Sequence, residues 1–191
     1  MSAFVLGNGK SRLLVDLELL KTVGTVYGCN AIYRDFLPHY LISVDYKMAV
    51  ELIEEGIPNK TEVWTNPHSR LLPSSNINMF RPSLGWSSGP TALNLAAEHG
   101  HSEIYILGFD YQGVENNTKF NNVYAGTKNY KKENDSPTFY GNWLSQTEIV
   151  FRKFPDIKFY RVVSENTWRP AWNLSNVEHI SVSTFNEKIK N

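Results

Sequence analysis

Cysteine is nearly absent. Cys29 stands alone in 191 residues, so no internal disulfide can form and a reducing compartment is the expectation. Long hydrophobic runs are missing as well: no stretch approaches the roughly 18–20 apolar residues of a membrane span, and the opening MSAFVLGNGK lacks a signal-peptide pattern. The chain therefore reads as cytoplasmic, and the Asn-x-Ser/Thr triplets at Asn59, Asn116 and Asn173 read as chance. Net charge is absent too. Nineteen basic and nineteen acidic side chains cancel, so no overall field favours DNA, RNA or an anionic bilayer, and no nucleic-acid partner is expected. Several catalytic signatures are also missing. There is no Gly-x-Ser-x-Gly elbow and no Asp-x-Asp pair of the kind that clamps a diphosphate through a metal. The five histidines are scattered, with His99 and His101 reading as a helix flank, so neither a metal site nor a resident cofactor is expected.

What is present is alternation. Short runs rich in Val, Ile and Tyr predict strands over 3–6, 25–28, 40–44, 62–65, 103–108 and 157–162. Helical patterns predict helices over 12–20, 46–55, 90–99 and 138–154. Strands that alternate with helices imply crossovers, hence a mainly parallel sheet covered on both faces. The length suits one domain over residues 1–191, since domains commonly hold roughly 100–200 residues. Residues 111–137 have little periodicity and exceed the roughly 12–15 residues at which a structureless loop becomes uncommon. Tyr111, Phe120, Tyr124 and Tyr130 lie there among Lys119, Lys128, Lys131 and Lys132. Linkers are poor in aromatics, so a lid that is mobile alone and ordered over a ligand is the expectation.

Two turns carry the candidate chemistry. Gly7-Asn8-Gly9-Lys10-Ser11 follows the first strand. It is not a P-loop, because Phe4 stands where the first glycine would be, and not a dinucleotide fingerprint, because Arg12 replaces the third. It remains a tight strand-to-helix turn, in which glycines admit a close ligand and Ser11 can cap a helix whose N–H groups attract anions. "GWSSGPTALNLAAEHG" repeats that physics, with Ser87 or Ser88 as cap, Pro90 in the first turn and Ser88-Gly89 offering amides. Asn30, Asp45 and Asp110 fall at strand ends, so Asn8, Asn30, Asp45, Ser88 and Asp110 can converge at the carboxyl edge of the sheet. There, open α/β sheets bind ligands. Asp110 could hold a ribose, a sugar hydroxyl or a metal, or cap its own loop. Cys29 reads as buried rather than catalytic, and Trp168 and Trp172 as packing of the C-terminal segment.

The order "LGNGKS", "YGCNAIY", "SSGPTALNLAAEHGHSEIYILGFDY", an irregular segment and "FYGNWLSQTEIVFRKFPDIKFYRV" resembles the bacterial lipooligosaccharide sialyltransferases of glycosyltransferase family 42. It also resembles a wider Rossmann-like set that includes archaeal hydroxymethylpterin diphosphokinases. The resemblance implies a single Rossmann-like α/β domain and a nucleotide-sugar partner, with nucleotide contacts from Gly7, Asn8, Gly9, Ser11, Asn30, Ser88, Gly89 and Asp110. It implies a cytidine monophosphate sugar as donor, a phosphate that departs without a metal while Tyr111 assists, and a glycan hydroxyl as acceptor. The family's base is a histidine after Tyr-Ile-Gly. Here the stretch reads Phe139-Tyr140-Gly141-Asn142, and an amide cannot titrate near neutral pH. Three readings stay open: a transferase using another base, with His39, His68 or Asp135 as substitutes; a diphosphate-transferring enzyme; and a nucleotide-binding module in which Asn142 merely caps its helix.

Overall fold

The computed structural model describes residues 2–71 and 76–190. Its first strand shows why the sheet has two covered faces. In β1 (Ser2–Leu6) Ala3 and Val5 enter one apolar cluster and Phe4 and Leu6 the other, as side chains of period two must. All four are fully buried. β2 (Thr25–Cys29) and β6 (Glu103–Leu107) flank β1, with Val5 opposite Tyr27 on one side and Ile106 on the other. Beyond β2 lie β3 (Tyr40–Ile42), β4 (Glu62–Thr65) and the two-residue β5 (Asn78–Met79). Beyond β6 lie β7 (Lys158–Val163) and β8 (Val177–Ser181). The order β5-β4-β3-β2-β1-β6-β7-β8 is parallel at every pairing.

Helices cover both faces. α3 (Ser88–Glu98) and α4 (Gly141–Lys153) pack Ala92, Leu93, Ala96, Val150 and Phe151 on the face of Ala3 and Val5. α1 (Leu17–Val23), α2 (Tyr46–Glu54) and α5 (Val182–Lys188) set Leu20, Leu52 and Phe185 on the other. The fold is α/β and Rossmann-like, and the strand order reverses between β1 and β6. No helix among the described residues is long and apolar enough to cross a membrane.

The expected helix over 12–20 is corrected. Lys10–Leu14 forms a 3₁₀ turn, and α1 starts only after Asp16, whose carboxylate accepts the N–H groups of Glu18 and Leu19. Two forces divide the segment: Asp16 is a strong N-cap, and Arg12 is drawn inside to donate to the Gly7 carbonyl and to Asn8 Oδ1 at 2.8 Å. The helix expected from residue 138 starts at Gly141. β5, β8 and α5 were not expected; β8 reads VEHIS with only Ile180 buried, too weak an apolar pattern to signal a strand.

Segment 111–137 is irregular as expected, with one isolated bridge between Val114 and Lys119. It is stitched to the body. Val123 N–H donates to the Asn8 carbonyl at 2.8 Å, and the Tyr124 hydroxyl meets both Arg12 and Asp35. Glu51 of α2 is 3% exposed and accepts from the Tyr33 hydroxyl at 2.5 Å, Arg34 at 2.5 Å and Asn129 Nδ2 at 2.6 Å. Arg34 also donates to Thr127 Oγ1 and the Lys128 carbonyl.

Burial alone would raise the Glu51 carboxyl, but hydrogen bonds from Tyr33 and Arg34, with the charges of Arg34 and Lys128, hold it below the ordinary carboxylate range. A depressed folded value means that its stabilisation is full above the unfolded value of about 4.3 and is lost as pH falls through the folded one. Glu51→Gln should cost about 1.5–3 kcal/mol at pH 7 and flatten the acid side of the stability profile. Urea unfolding of both proteins from pH 7 to pH 3 checks this; parallel profiles would show that the carboxylate does not hold the insert.

Candidate functional site

The turns after β1 and β6 meet back to back where the strand order reverses. Gly7 N–H donates to the Leu107 carbonyl at 2.8 Å and Gly9 N–H to the Gly108 carbonyl at 2.9 Å. A Cβ at Gly7 would stand 2.6 Å from the Gly108 oxygen, and one at Gly9 2.5 Å from Asp110 Oδ2. Gly108 itself takes a left-handed φ of 69°. The glycines that suggested a phosphate cradle are thus required by the approach of one turn to the other. The remaining donors of the first turn are engaged too. Lys10 N–H donates to Asn121 Oδ1 at 2.9 Å, and Ser11 gives both its N–H and its hydroxyl to Asp110. Of the amides at 7–11, that of Asn8 alone has no acceptor among the described residues. Ser11 caps nothing: Gly9 stands at the N-cap of the 3₁₀ turn.

Two buried arginines hold these turns from below. Arg12 binds the Gly7 carbonyl and Asn8. Arg161 of β7, 1% exposed, donates to the carbonyls of Phe109 at 2.8 Å, Asp110 at 3.2 Å and Trp168 at 2.9 Å. Asp110 completes the joint by accepting Asn121 Nδ2 at 3.0 Å as well.

Above the joint lies a cavity of about 440 Å³ at the carboxyl ends of β1, β2, β3 and β6. Of the residues that the resemblance implicates, all but Ser11 line it: Gly7, Asn8, Gly9, Asn30, Ser88, Gly89, Asp110, Tyr111 and Asn142 are on its wall, as is Asp45, whereas His39, His68 and Asp135 are not. The side opposite the glycine turn is built around Ser88. Its hydroxyl donates to Asn30 Oδ1 at 2.9 Å and accepts Val44 N–H at 3.1 Å, while Ser43 also donates to Asn30 Oδ1 at 3.0 Å. Asn30 holds a left-handed φ of 54°, which asparagine tolerates better than most residues. Its Oδ1 is doubly occupied, and its Nδ2 has no partner among the described residues. α3 is not capped by a serine side chain as expected; Ser87 sits at the N-cap without such a bond, and its own N–H goes to Gln146 Oε1 of α4 at 3.0 Å. The N–H groups of Ser88 and Gly89 precede the first intrahelical bond and belong to cavity-lining residues.

Tyr111 is a wall rather than a reaching hydroxyl. It is buried at a φ of 54°, its oxygen is 2.6 Å from Thr147 Oγ1, and burial raises its pKa. Cys29 is buried and its thiol is pushed up to about 12, which suits packing. Asn142 is the second residue of α4, exposed at the cavity, and its side chain caps nothing, because Tyr140 holds the N-cap. Of the substitute bases, His39 Nδ1 accepts Val26 N–H at the opposite edge of the sheet, and Asp135 accepts Lys132 N–H within the insert. His68 Nε2 lies 3.0 Å from the carbonyl of Val44, itself a cavity residue.

Sequence reasoning missed Trp86, Tyr140, Trp143 and Gln146, which line the same cavity. Their signal was there: Trp86 directly precedes the Ser-Ser-Gly start of α3, and 140, 143 and 146 recur at one-turn spacing into α4. The Tyr140 hydroxyl is buried with no hydrogen-bond partner among the described residues, and burial raises its pKa. Among the described residues, no Lys, Arg or His lines the cavity. Among the described residues, no group of three His, Cys, Asp or Glu side chains could hold a metal ion.

Fold and cavity together define a Rossmann-like α/β protein with an amide-rich cavity at its switch point, its wall carrying Asp45 and Asp110. Comparison of the chain with protein-family models, curated proteins and solved structures found no match.

The joint between the turns has a direct test. Gly9→Ala places a methyl group against Asp110, and overpacking of this kind costs about 1–3 kcal/mol. Chemical denaturation should show that loss. Wild-type stability in the variant would mean that the turns are not packed against each other.

Proposed function

We propose that the cavity binds a nucleotide sugar bearing a single phosphate ester, and that the chain is a sialyltransferase-like glycosyltransferase with Asn142 in the proton-acceptor position. One observation carries this reading: among the described residues the wall offers neutral donors and no cationic side chain. A helix N-terminus carries about half a positive charge, which suits the single charge of a monophosphate diester. The Ser88 and Gly89 amides of α3 would take that group, with Asn30 Nδ2 beside them. A diphosphate would bring more charge to a wall whose ionisable acids are Asp45 and Asp110, which disfavours diphosphate transfer. The phosphodiester of a cytidine monophosphate sugar, the donor that the resemblance implies, carries that single charge. Trp86 and Trp143 at the same cavity offer apolar faces for a sugar ring, and a glycan hydroxyl would be the acceptor.

A second reading, binding without transfer, is favoured by Asn142. General-base assistance is commonly worth about 10²–10⁴-fold, and an amide supplies none. Of the three substitutes His68 touches a cavity residue, its Nε2 lying 3.0 Å from the Val44 carbonyl, but it does not line the cavity itself.

Binding is tested by thermal shift with nucleoside monophosphates, cytidine monophosphate sugars and nucleoside diphosphate sugars, with and without magnesium, because a ligand of the folded state raises apparent stability. The monophosphate compounds should stabilise without magnesium. Stabilisation by diphosphates and magnesium alone would overturn the reading. For transfer, Asn142→His should raise turnover of a cytidine monophosphate sugar about 10²–10⁴-fold with little change in donor affinity. Donor hydrolysis and transfer assays on both proteins check it. An ordinary wild-type rate, of order 1–10³ s⁻¹, would show that no base is missing.

A further inference from the structure

Asp45 stands at the N-cap of α2, directly after Val44, and makes no side-chain cap bond. The contrast within the chain is plain: Asp16 caps α1 with two hydrogen bonds and Ser181 caps α5 with one. Aspartate is among the strongest capping residues, yet this carboxylate is exposed and has no hydrogen bond or ion pair among the described residues. It lines the cavity, and among the described residues no Lys, Arg or His lines it beside Asp45. The other acid there, Asp110, is already satisfied by Ser11 and Asn121. Asp45 is also held at a fixed distance from the start of α3, because the preceding residue gives its N–H to Ser88 Oγ at 3.1 Å.

An ionised carboxylate only accepts hydrogen bonds. A ligand whose anion lies on the α3 amides must therefore turn donors, not further charge, towards Asp45. We propose that Asp45 is a specificity-determining residue that accepts the vicinal hydroxyls of the sugar carrying the phosphate, so that the cavity selects ribonucleotides over their deoxy counterparts. This rests on the nucleotide reading above and adds which part of the ligand is recognised, and by what.

The test compares the four ribonucleoside 5′-monophosphates with their 2′,3′-dideoxy analogues by titration calorimetry, on the wild type and on Asp45→Asn and Asp45→Ala. Hydrogen bonds to a charged group are worth enough that the wild type should prefer the ribonucleotide about 10-fold to 100-fold. In Asp45→Ala that ratio should collapse towards one, through weaker ribonucleotide binding and unchanged dideoxy binding. Because Asp45 makes no cap bond, both variants should unfold close to the wild-type temperature, losing only the small attraction of a carboxylate to the helix N-terminus. A large drop in either would make the carboxylate structural and overturn the proposal. So would equal wild-type affinity for ribo and dideoxy forms, which leaves the nucleotide reading standing. A change in preference among the four bases, with the ribo-to-dideoxy ratio intact, would assign Asp45 to an amino group on the base instead. If the wild type binds none of the eight compounds, the nucleotide reading fails and this inference with it.

Discussion

The approach of Gly7 to Gly108 is the contact on which the rest of the molecule turns. Two strands that are neighbours in the sheet but about a hundred residues apart in sequence end in turns that share hydrogen bonds across the joint. Because neither turn has a Cβ in the way, the backbones close up and Asp110 can reach under the first turn to Ser11. The reversal of strand order then opens the cavity above. Rigidity at the floor comes from buried guanidinium groups, Arg12 beneath one turn and Arg161 beneath the other. Burying a charge is costly unless its donors are satisfied. Three backbone carbonyls around Arg161 and the faces of Tyr111 and Trp172 largely meet that demand.

The electrostatic character of the cavity follows from this arrangement. Arg12 and Arg161 each direct guanidinium donors to the turns of the floor, and neither is on the cavity wall. What faces the open space is amide, hydroxyl and indole, with one unpartnered carboxylate. Such a wall discriminates by hydrogen-bond geometry rather than by net attraction.

The place of the cavity was legible in the sequence because its signals are local. Glycine, serine and asparagine clustered at the ends of apolar runs mark turns whatever the tertiary context, and parallel strands bring those turns to one edge. The role of the glycines was not legible. A glycine demanded by a ligand and one demanded by a distant carbonyl look alike in sequence, and Gly108 lies far along the chain from Gly7. The engagement of Ser11 with Asp110, in place of the expected helix cap, was not legible for the same reason, since nothing near it signals Asp110. Arg12 and Arg161 were invisible as structural residues because charged side chains are ordinarily at the surface. Trp172 was legible as packing: it is buried, with its ring stacked on His179 at 5.4 Å. Tyr140 and Trp143 escaped because their helix starts later than the expected boundary.

The insert at 111–137 has the outward look of a replaceable module, long, irregular and on the rim. Its attachments say otherwise. Val123 binds the carbonyl of Asn8, Asn121 binds both Lys10 and Asp110, and Tyr124 binds the same guanidinium that supports Gly7. Segments that share partners with a cavity floor cannot drift in sequence without moving it. A chimera that exchanged this insert for another of equal length would therefore remould the floor along with the rim. In this fold, diversification of the rim has to proceed through residues such as Trp86 and Asn142, for which no side-chain hydrogen bond to the floor is present among the described residues.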